Sequence, residues 1–296
     1  MKLKITPMSR KNLIYNVMAL ASIIVWGVTF VSTKSLIING LNPVEIFIIR
    51  FLIAYFCTLI LCHNRLWADT RKDELMMLAA GITGGSLYFI AENSALGITF
   101  ASNVSLIICC APIFTMILGK VLFRDTIKVS SWIGSIVAFI GVGIVVLNGS
   151  MLYGINPLGD ILTLFAAFSW AAYCLILKRI NCRYSNLFIT RKVFTYGVIT
   201  AILYYILFPS EHQSRLADLK SIIANLAFLS VGASFLCYLM WNTAVRYLGA
   251  ERTSNYIYLV PIVTIISSSF ILDEPFTLTM AIYTLLVIGG VFLSTK

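Results

Sequence analysis

The sequence predicts an all-α membrane protein with ten transmembrane helices. Of its 296 residues, 59% are apolar and 11% are charged, whereas a soluble domain averages about 45–50% apolar and about 25% charged residues. The mean hydropathy of +0.93 agrees with this composition. So few charged residues cannot cover the surface of a soluble enzyme of this length, and a disordered chain would be polar. The composition therefore indicates a polytopic membrane protein.

Ten apolar runs have the length of about 20 residues that a helix needs to cross the hydrocarbon core. The first run follows four basic residues, but it is too long for the core of a signal peptide and further spans follow it. It therefore predicts a retained first helix. The segment from Gly97 to Ser102 is barely polar, and the boundary between the third and fourth spans is placed there. The predicted spans of the first half are residues 13–33, 44–62, 75–93, 98–119 and 129–147.

The second half contains five further runs, and the loops between them leave no room for a soluble domain. Its predicted spans are residues 159–177, 190–208, 221–241, 250–271 and 278–295. With the N-terminus inside, about 18 Lys and Arg residues fall in cytoplasmic segments and only Lys34, Arg215 and Lys220 fall outside. This asymmetry predicts an inner-membrane protein with both termini cytoplasmic. The net charge of +10 is then a topology signal and not a surface for nucleic acid.

An internal repeat relates the two halves. Residues 95–125 match residues 244–274 without gaps at an offset of 149 residues, so that Pro112 meets Pro261 and Asp125 meets Glu274. Asn93 likewise meets Asn242, and in a shifted register Trp26 and Lys34 align with Trp170 and Lys178, and Arg50 aligns with Arg191. Each half, residues 1–148 and 149–296, has five helices. Because five is odd, the second copy is inserted upside down, which is typical of secondary transporters.

The whole chain resembles the EamA-type transporters of the drug/metabolite transporter superfamily. The resemblance depends on Trp26-Gly27, Arg50, Glu92 to Leu96, and Pro112 followed by Asp125, and in the second half on Trp170, Asn242 to Ala244, and Pro261 followed by Glu274. Asp125 stands where Glu is more usual in that family, but it keeps the charge. The resemblance implies a ten-helix exporter or exchanger of small metabolites, often amino acids, and it does not identify the substrate.

Ionisable groups inside a span are candidates for function, because each is costly to place in the membrane. Arg50 lies about two turns into the second span and Glu92 near the outer end of the third. These spans are antiparallel, so the two side chains are expected at similar depth, where they could form an ion pair. Three interpretations are open: a structural ion pair, a Glu92 that titrates or contacts a substrate amine, or side chains that extend to the interface.

Prolines and polar or aromatic side chains complete the predicted site. Pro112 and Pro261 lie mid-span, and each removes a backbone hydrogen bond and kinks its helix. Matching kinks suit a central cavity with two gates, and packing alone could also explain them. Mid-span aromatics offer hydrogen bonds and cation–π faces to an ammonium ligand, with packing or lipid contact as the alternative. The predicted substrate-binding residues are Trp26, Arg50, Tyr88, Glu92, Asn93, Trp170, Tyr173, Trp241, Asn242 and Tyr258.

The leading functional hypothesis is a secondary transporter of a small polar metabolite that works by alternating access. An amino acid or related compound is the expected substrate, and a nucleobase, nucleotide-sugar or cofactor-like metabolite is the alternative. Proton coupling and counter-substrate exchange are both open, and one chain suffices although a dimer is compatible. The sequence contains no catalytic motif that would indicate an intramembrane enzyme. A channel would need a continuous ring of polar residues, usually formed across subunits. Both histidines, His63 and His212, fall in predicted loops, so no metal or cofactor is expected.

Overall fold

The computed structural model describes residues 10–63, 65–124, 156–180, 183–209 and 218–274, with isolated helical residues within 129–140 and within 285–289. Every regular element in this part of the chain is helical. Eight helical segments in it are long and apolar enough to cross a membrane. In chain order they are α1 (Leu13–Ile38), α2 (Pro43–Leu61), α3 (Arg71–Ile98), α4 (Ala101–Phe123), α5 (Pro157–Ile180), α6 (Asn186–Leu207), α7 (Leu219–Leu248) and α8 (Ala250–Ile271).

These eight segments correspond to eight of the ten predicted spans. The predicted fifth and tenth spans, 129–147 and 278–295, lie largely outside the described residues. The predicted fourth span began at residue 98, whereas the helix begins at Ala101 because Thr99 and Phe100 have extended backbones. Apolar composition alone does not mark that break, since neither neighbour is strongly polar.

Side-chain caps explain where several helices begin. Asn42 accepts a hydrogen bond from the backbone N–H of Val44 at 2.8 Å, and Glu45 completes a capping box at the start of α2. Thr70 caps α3 and Ser185 caps α6 in the same way. Asp218 accepts from the first backbone N–H groups of α7. Such caps satisfy donors that have no partner within the helix.

Helices of the first half pack mainly against helices of the second half. The helix α1 packs on α7 and α8, α2 packs on α6 and α7, and α3 packs on α5 and α6. Glycines allow the closest of these approaches: a Cβ added to Gly85 would lie 3.2 Å from the Cα of Gly197. Small residues at helix crossings let backbones approach in this way. The two halves therefore share one continuous interior.

Four of the helices are interrupted in midcourse. The helix α3 contains a π-helical segment at Ile82–Ser86, and α7 contains one at Phe228–Leu236. The helix α4 breaks at Cys109 and Cys110, and α8 contains a 3₁₀ segment at Asn255–Leu259. π-helical turns are rare and often mark functional sites. Each interruption of the first half recurs in the second.

The offset of 149 residues relates these interruptions residue by residue. It maps the π segment of α3 into the π segment of α7, and the break in α4 onto the 3₁₀ segment of α8. Arg124 and Asp273, which the same offset pairs, are the two non-glycine residues with positive φ in the described chain, at 56° and 53°. Such backbone angles are uncommon outside glycine. The repeat seen in the sequence therefore extends to local backbone geometry.

Candidate functional site

A cavity lies at the centre of the helix bundle. Five of the predicted site residues line it: Trp26, Arg50, Tyr88, Glu92 and Trp170. The remaining lining residues are Ile23, Thr29, Phe30, Phe89, Ile108, Ala111, Tyr238, Ile257 and Val260. The walls are mostly apolar and aromatic, with one cation and one anion among the described residues. A largely apolar pocket with a few convergent polar groups is the usual form of a small-molecule site.

Arg50 supplies the positive charge of the cavity. Its side chain is 1% exposed, its Nε donates to Ser234 Oγ at 2.9 Å, and its guanidinium carbon lies 4.5 Å from the ring centroid of Phe89. The aromatic face stabilises the cation. A guanidinium has five N–H donors in a planar fork, and Ser234 takes only the one on Nε. The terminal nitrogens can therefore bind a carboxylate.

Glu92 supplies the negative charge. It is buried, and its Oε1 accepts a hydrogen bond from the Tyr88 hydroxyl at 3.0 Å. Glu92 and Arg50 line the same cavity, at the similar depth that the sequence indicated. No ion pair among the described residues joins Arg50 to Glu92. The direct ion pair that was one interpretation of the sequence is therefore not formed. Ser234 and Tyr88 orient the two charged groups separately.

Aromatic rings form the wall between these polar groups. Trp26 and Trp170 meet edge to face, with centroids 5.3 Å apart and an interplanar angle of 89°. Tyr88 lies 5.0 Å from Trp170, and Tyr238 lies 5.8 Å from Trp26. The cavity therefore presents aromatic faces and edges beside an acidic group. This is the kind of surface that binds an ammonium group.

Four other predicted site residues lie behind this wall. Tyr173 donates to Asn242 Oδ1 at 2.8 Å, and Asn242 Nδ2 donates to Thr190 Oγ1 at 2.9 Å. Trp241 and Tyr258 are fully buried and do not line the cavity. The hydrogen bonds join α5, α6 and α7, and they support the wall without facing the cavity.

Asn93, the remaining predicted binding residue, has a structural contact. Its Nδ2 donates to the carbonyl oxygen of Pro43 at 2.9 Å, which ties α3 to the beginning of α2. It follows Glu92 in the chain, and consecutive residues of a helix point about 100° apart. The same turn that directs Glu92 into the cavity therefore directs Asn93 toward a neighbouring helix.

Tyr238 and Phe89 line the cavity but were not among the predicted binding residues. Thr29 and Phe30 were also missed, although they lie three and four residues after Trp26, a spacing that shares one helix face. Helical spacing from Trp26 could have identified them. Tyr238 is a mid-span aromatic like Trp170 and Tyr173, and that same signal identifies it as a candidate for the cavity wall.

The two predicted kink prolines lie next to the cavity. Pro112 begins the second part of α4 after the turn at Cys109 and Cys110, and Pro261 begins the last part of α8 after the 3₁₀ segment. Residues Ile108, Ala111, Ile257 and Val260, which flank these breaks, contribute to the cavity wall. The prolines therefore lie where two interrupted helices approach the candidate site.

A buried carboxylate closes one end of the bundle. Glu274 accepts hydrogen bonds from the backbone N–H groups of Ala101 and Ser102 at 2.9 and 3.2 Å and from Ser102 Oγ at 2.7 Å. Lys34 Nζ lies 3.4 Å from Glu274 and donates to the carbonyl of Thr99 at 2.8 Å. We call these five residues the Glu274 cluster. It joins α1, the beginning of α4 and the segment after α8.

A second polar cluster lies near the beginnings of α3 and α6, whereas the Glu274 cluster includes Thr99 at the other end of α3. Glu74 forms an ion pair with Lys192, and Asp73 forms one with Arg183 at 3.0 Å. The Tyr184 hydroxyl donates to Asp73 at 2.8 Å. Burial and this hydrogen bond raise the pKa of Tyr184, so that its hydroxyl stays protonated as a donor. Within the described residues, no group of His, Cys, Asp or Glu could hold a metal ion.

Comparisons with known proteins agree with this architecture. The model of the EamA-like transporter family matches residues 13–147 and again residues 157–296. An "Uncharacterized transporter" of Archaeoglobus fulgidus is 30% identical over 276 residues, which cover 92% of this chain and 95% of the relative. The "Probable amino-acid metabolite efflux pump" of Escherichia coli (strain K12) is 24% identical, covering 97% and 95% of the two chains.

A second protein with that efflux-pump name, from Salmonella typhimurium, is 26% identical over 97% of this chain and 95% of its own. A solved structure titled "Crystal structure of protein" has a TM-score of 0.70 and 18% sequence identity, and it covers 95% of this chain and 97% of the other. At that identity, the structural likeness concerns the fold alone.

Proposed function

The chain belongs to the EamA-like transporter family, and from that membership we propose that it is a secondary active transporter of a small zwitterionic metabolite of the amino-acid type. It is a multi-pass membrane transporter and not an enzyme. Two similar proteins bear the name of amino-acid metabolite efflux pumps. We therefore propose export or exchange as its direction of transport.

The separation of two opposite charges in one cavity carries the substrate proposal. Arg50 and Glu92 are both buried, both line the cavity and do not pair directly with each other. A ligand with a carboxylate and an ammonium group would satisfy both, because hydrogen bonds to charged groups are the stronger ones. The rings of Trp26, Trp170 and Tyr238 would contact the ammonium group or an apolar side chain.

The same cavity argues against highly charged substrates. A phosphorylated metabolite or nucleotide-sugar would call for several cationic side chains, whereas Arg50 is the one cation among the described lining residues. A nucleobase is the second candidate, because the aromatic wall suits a planar ring. It would leave Arg50 and Glu92 without partners of opposite charge, and for that reason we place it second.

We further propose that the chain forms ten helices as two inverted halves of five, in the cell membrane, with both termini cytoplasmic. The two matches to the family, the offset of 149 residues and the recurring helix interruptions support the repeat. The distribution of Lys and Arg supports the orientation. In this orientation the Glu274 cluster lies at the outer face and the Glu74–Lys192 pair at the cytoplasmic face.

Alternating access would then move the cavity between the two faces by rocking one half against the other. The Glu274 cluster joins helices of both halves at the outer face, so it must open for the cavity to reach that side. Pro112 and Pro261 adjoin the cavity in equivalent positions of the two halves, and their interrupted helices are the natural points of bending.

Counterflow in proteoliposomes tests this function. Purified protein is reconstituted with an unlabelled α-amino acid inside, and uptake of the labelled compound is measured with and without a pH gradient. The matched probes are the amine that lacks the carboxylate and the acid that lacks the amino group. We expect saturable exchange with the amino acid and at least tenfold weaker exchange with either analogue.

Other outcomes would overturn particular parts of the proposal. Linear flux that does not saturate would indicate a channel. Exchange of a nucleobase without exchange of any amino acid would favour the second candidate. Equal exchange of the amino acid and its amine analogue would show that Arg50 does not recognise a carboxylate.

A further inference from the structure

Two aromatic side chains donate hydrogen bonds to backbone carbonyls of the two π segments. The indole Nε1 of Trp26 donates to the carbonyl oxygen of Ala233, in the π segment of α7, at 2.9 Å. The hydroxyl of Tyr238 donates to the carbonyl oxygen of Gly84, in the π segment of α3. The repeat offset of 149 residues pairs Gly84 with Ala233. The two acceptors are therefore equivalent positions, but the two donors are not.

Trp170 is the residue that the repeat pairs with Trp26. By that equivalence its indole N–H should donate to Gly84, as the N–H of Trp26 does to Ala233. Instead Trp170 Nε1 is buried and has no hydrogen-bond partner among the described residues. The Tyr238 hydroxyl occupies the position that Trp170 would take. The repeat counterpart of Tyr238 is Phe89, which has no hydroxyl, so no such competitor exists in the other half.

The helix that carries Trp170 already contacts the π segment of α3. Ser169 Oγ donates to the carbonyl of Thr83 at 2.8 Å, and a Cβ added to Gly84 would meet the ring of Tyr173 at 2.4 Å. Trp170 lies between these two contacts in the sequence. Trp170 is therefore carried by a helix that already lies against Gly84.

We propose that the Trp26–Ala233 and Trp170–Gly84 hydrogen bonds are made in opposite states of the transport cycle, and that Tyr238 holds the state seen here. This inference rests on the proposed alternating access between two inverted halves. When two such halves exchange conformations, each bond made by one half is replaced by the equivalent bond of the other. A buried N–H without an acceptor is unfavourable, but each of the two states leaves one indole N–H without an acceptor. The indoles therefore balance, and the hydrogen bond from Tyr238 to Gly84, which is made in this state, stabilises it over the other.

The exchange would also connect the substrate to the conformational change. Trp26, Trp170 and Tyr238 all line the cavity, and the two indoles meet edge to face. Movement of one indole therefore changes the packing of the other. A substrate that contacts this wall would alter the balance between the two hydrogen bonds.

The indole N–H groups can be observed directly. The chain has five Trp residues, so ¹⁵N-indole labelling of the full-length protein in nanodiscs gives a small set of NMR signals, assigned by single Trp→Phe variants. The signal position and the hydrogen-exchange rate report whether each indole is hydrogen-bonded. In the Y238F variant, we expect the ratio of bonded to free Trp170 to rise roughly 3- to 10-fold, the effect of one hydrogen bond, and bonded Trp26 to fall.

The opposite shift is expected from W170F, which removes the donor of the alternative state and should leave Trp26 fully bonded. Y204F is the matched control, because Tyr204 is 40% exposed and lies outside the cavity wall. The proposal would be overturned if the ratio of bonded to free Trp170 were the same in Y238F and in the wild type. It would also be overturned if neither protein showed a hydrogen-bonded Trp170 signal.

Transport measurements separate this proposal from the proposed function. If Y238F shifts the indole signals and counterflow occurs with a nucleobase but with no amino acid, the hydrogen-bond exchange stands and the proposed substrate class fails. If counterflow proceeds while Y238F and W170F leave the signals of Trp26 and Trp170 unchanged, the transport function stands and the exchange fails.

Discussion

Replacement of Glu92 by Gln tests whether the negative charge of Glu92 binds the ammonium group of the substrate. The side chain keeps its size, and the Gln amide oxygen can still accept the hydrogen bond that Tyr88 donates at 3.0 Å. Arg50 has its own contacts with Ser234 and Phe89, so it does not lose a direct ion-pair partner. We therefore expect the variant to insert and fold, with a melting temperature close to that of the wild type.

The expected loss is in substrate binding. A hydrogen bond to a charged group contributes about 1.5–3 kcal/mol, and each 1.4 kcal/mol corresponds to roughly a tenfold change in affinity. We therefore expect half-saturation in counterflow to require roughly 10- to 100-fold more substrate in the E92Q variant. An analogue without the amino group should show no such change, because it has no ammonium group to contact position 92.

Glu45 provides the matched control. It also accepts a tyrosine hydroxyl, from Tyr205 at 2.8 Å, but it lies at the start of α2 and does not line the cavity. E45Q should transport with wild-type half-saturation. Wild-type transport by well-expressed E92Q would refute our assignment. A large fall in melting temperature with unchanged half-saturation would instead show that Glu92 has a structural role.

Three further substitutions test separate contacts. R50K keeps the charge but loses the guanidinium fork, and it should lower the preference for the amino acid over its amine analogue about tenfold in counterflow. E274A removes the acceptor at the beginning of α4, and it should lower the free energy of unfolding by about 1–2 kcal/mol in thermal denaturation. G84A places a Cβ 2.4 Å from the ring of Tyr173. In thermal denaturation it should lower the free energy of unfolding by about 1–3 kcal/mol. G232A is its control and should leave the stability unchanged, because the nearest contact of the added Cβ is at 3.6 Å.

Several features of the fold could be predicted from the sequence because they depend on local properties. Length and apolar content identify a membrane helix wherever it lies in the bundle, and eight of the predicted spans are helices in the described chain. Burial of charge in a membrane is costly, which made Arg50 and Glu92 candidates before any contact was known. The family resemblance, too, depends on motifs that can be read along the chain.

The face that each residue presents could not be predicted in the same way. Asn93 and Asn242 are repeat-paired and polar, yet they bond to neighbouring helices and not to the cavity. Tyr238 follows a π segment, which adds residues to a turn and rotates everything after it relative to a regular helix. Side-chain direction beyond such a segment depends on tertiary packing.

The sequence by itself determined a membrane-spanning helical chain, its internal repeat and the few charges placed within the membrane. Only the tertiary structure decided that Arg50 and Glu92 share a cavity without pairing, and that Tyr238 takes the acceptor equivalent to the one used by Trp26. Hydropathy and repeat spacing arise from neighbours along the chain. Hydrogen-bond partners from different helices depend on how the π segments and helix breaks turn each face, and this is settled only when the helices pack together.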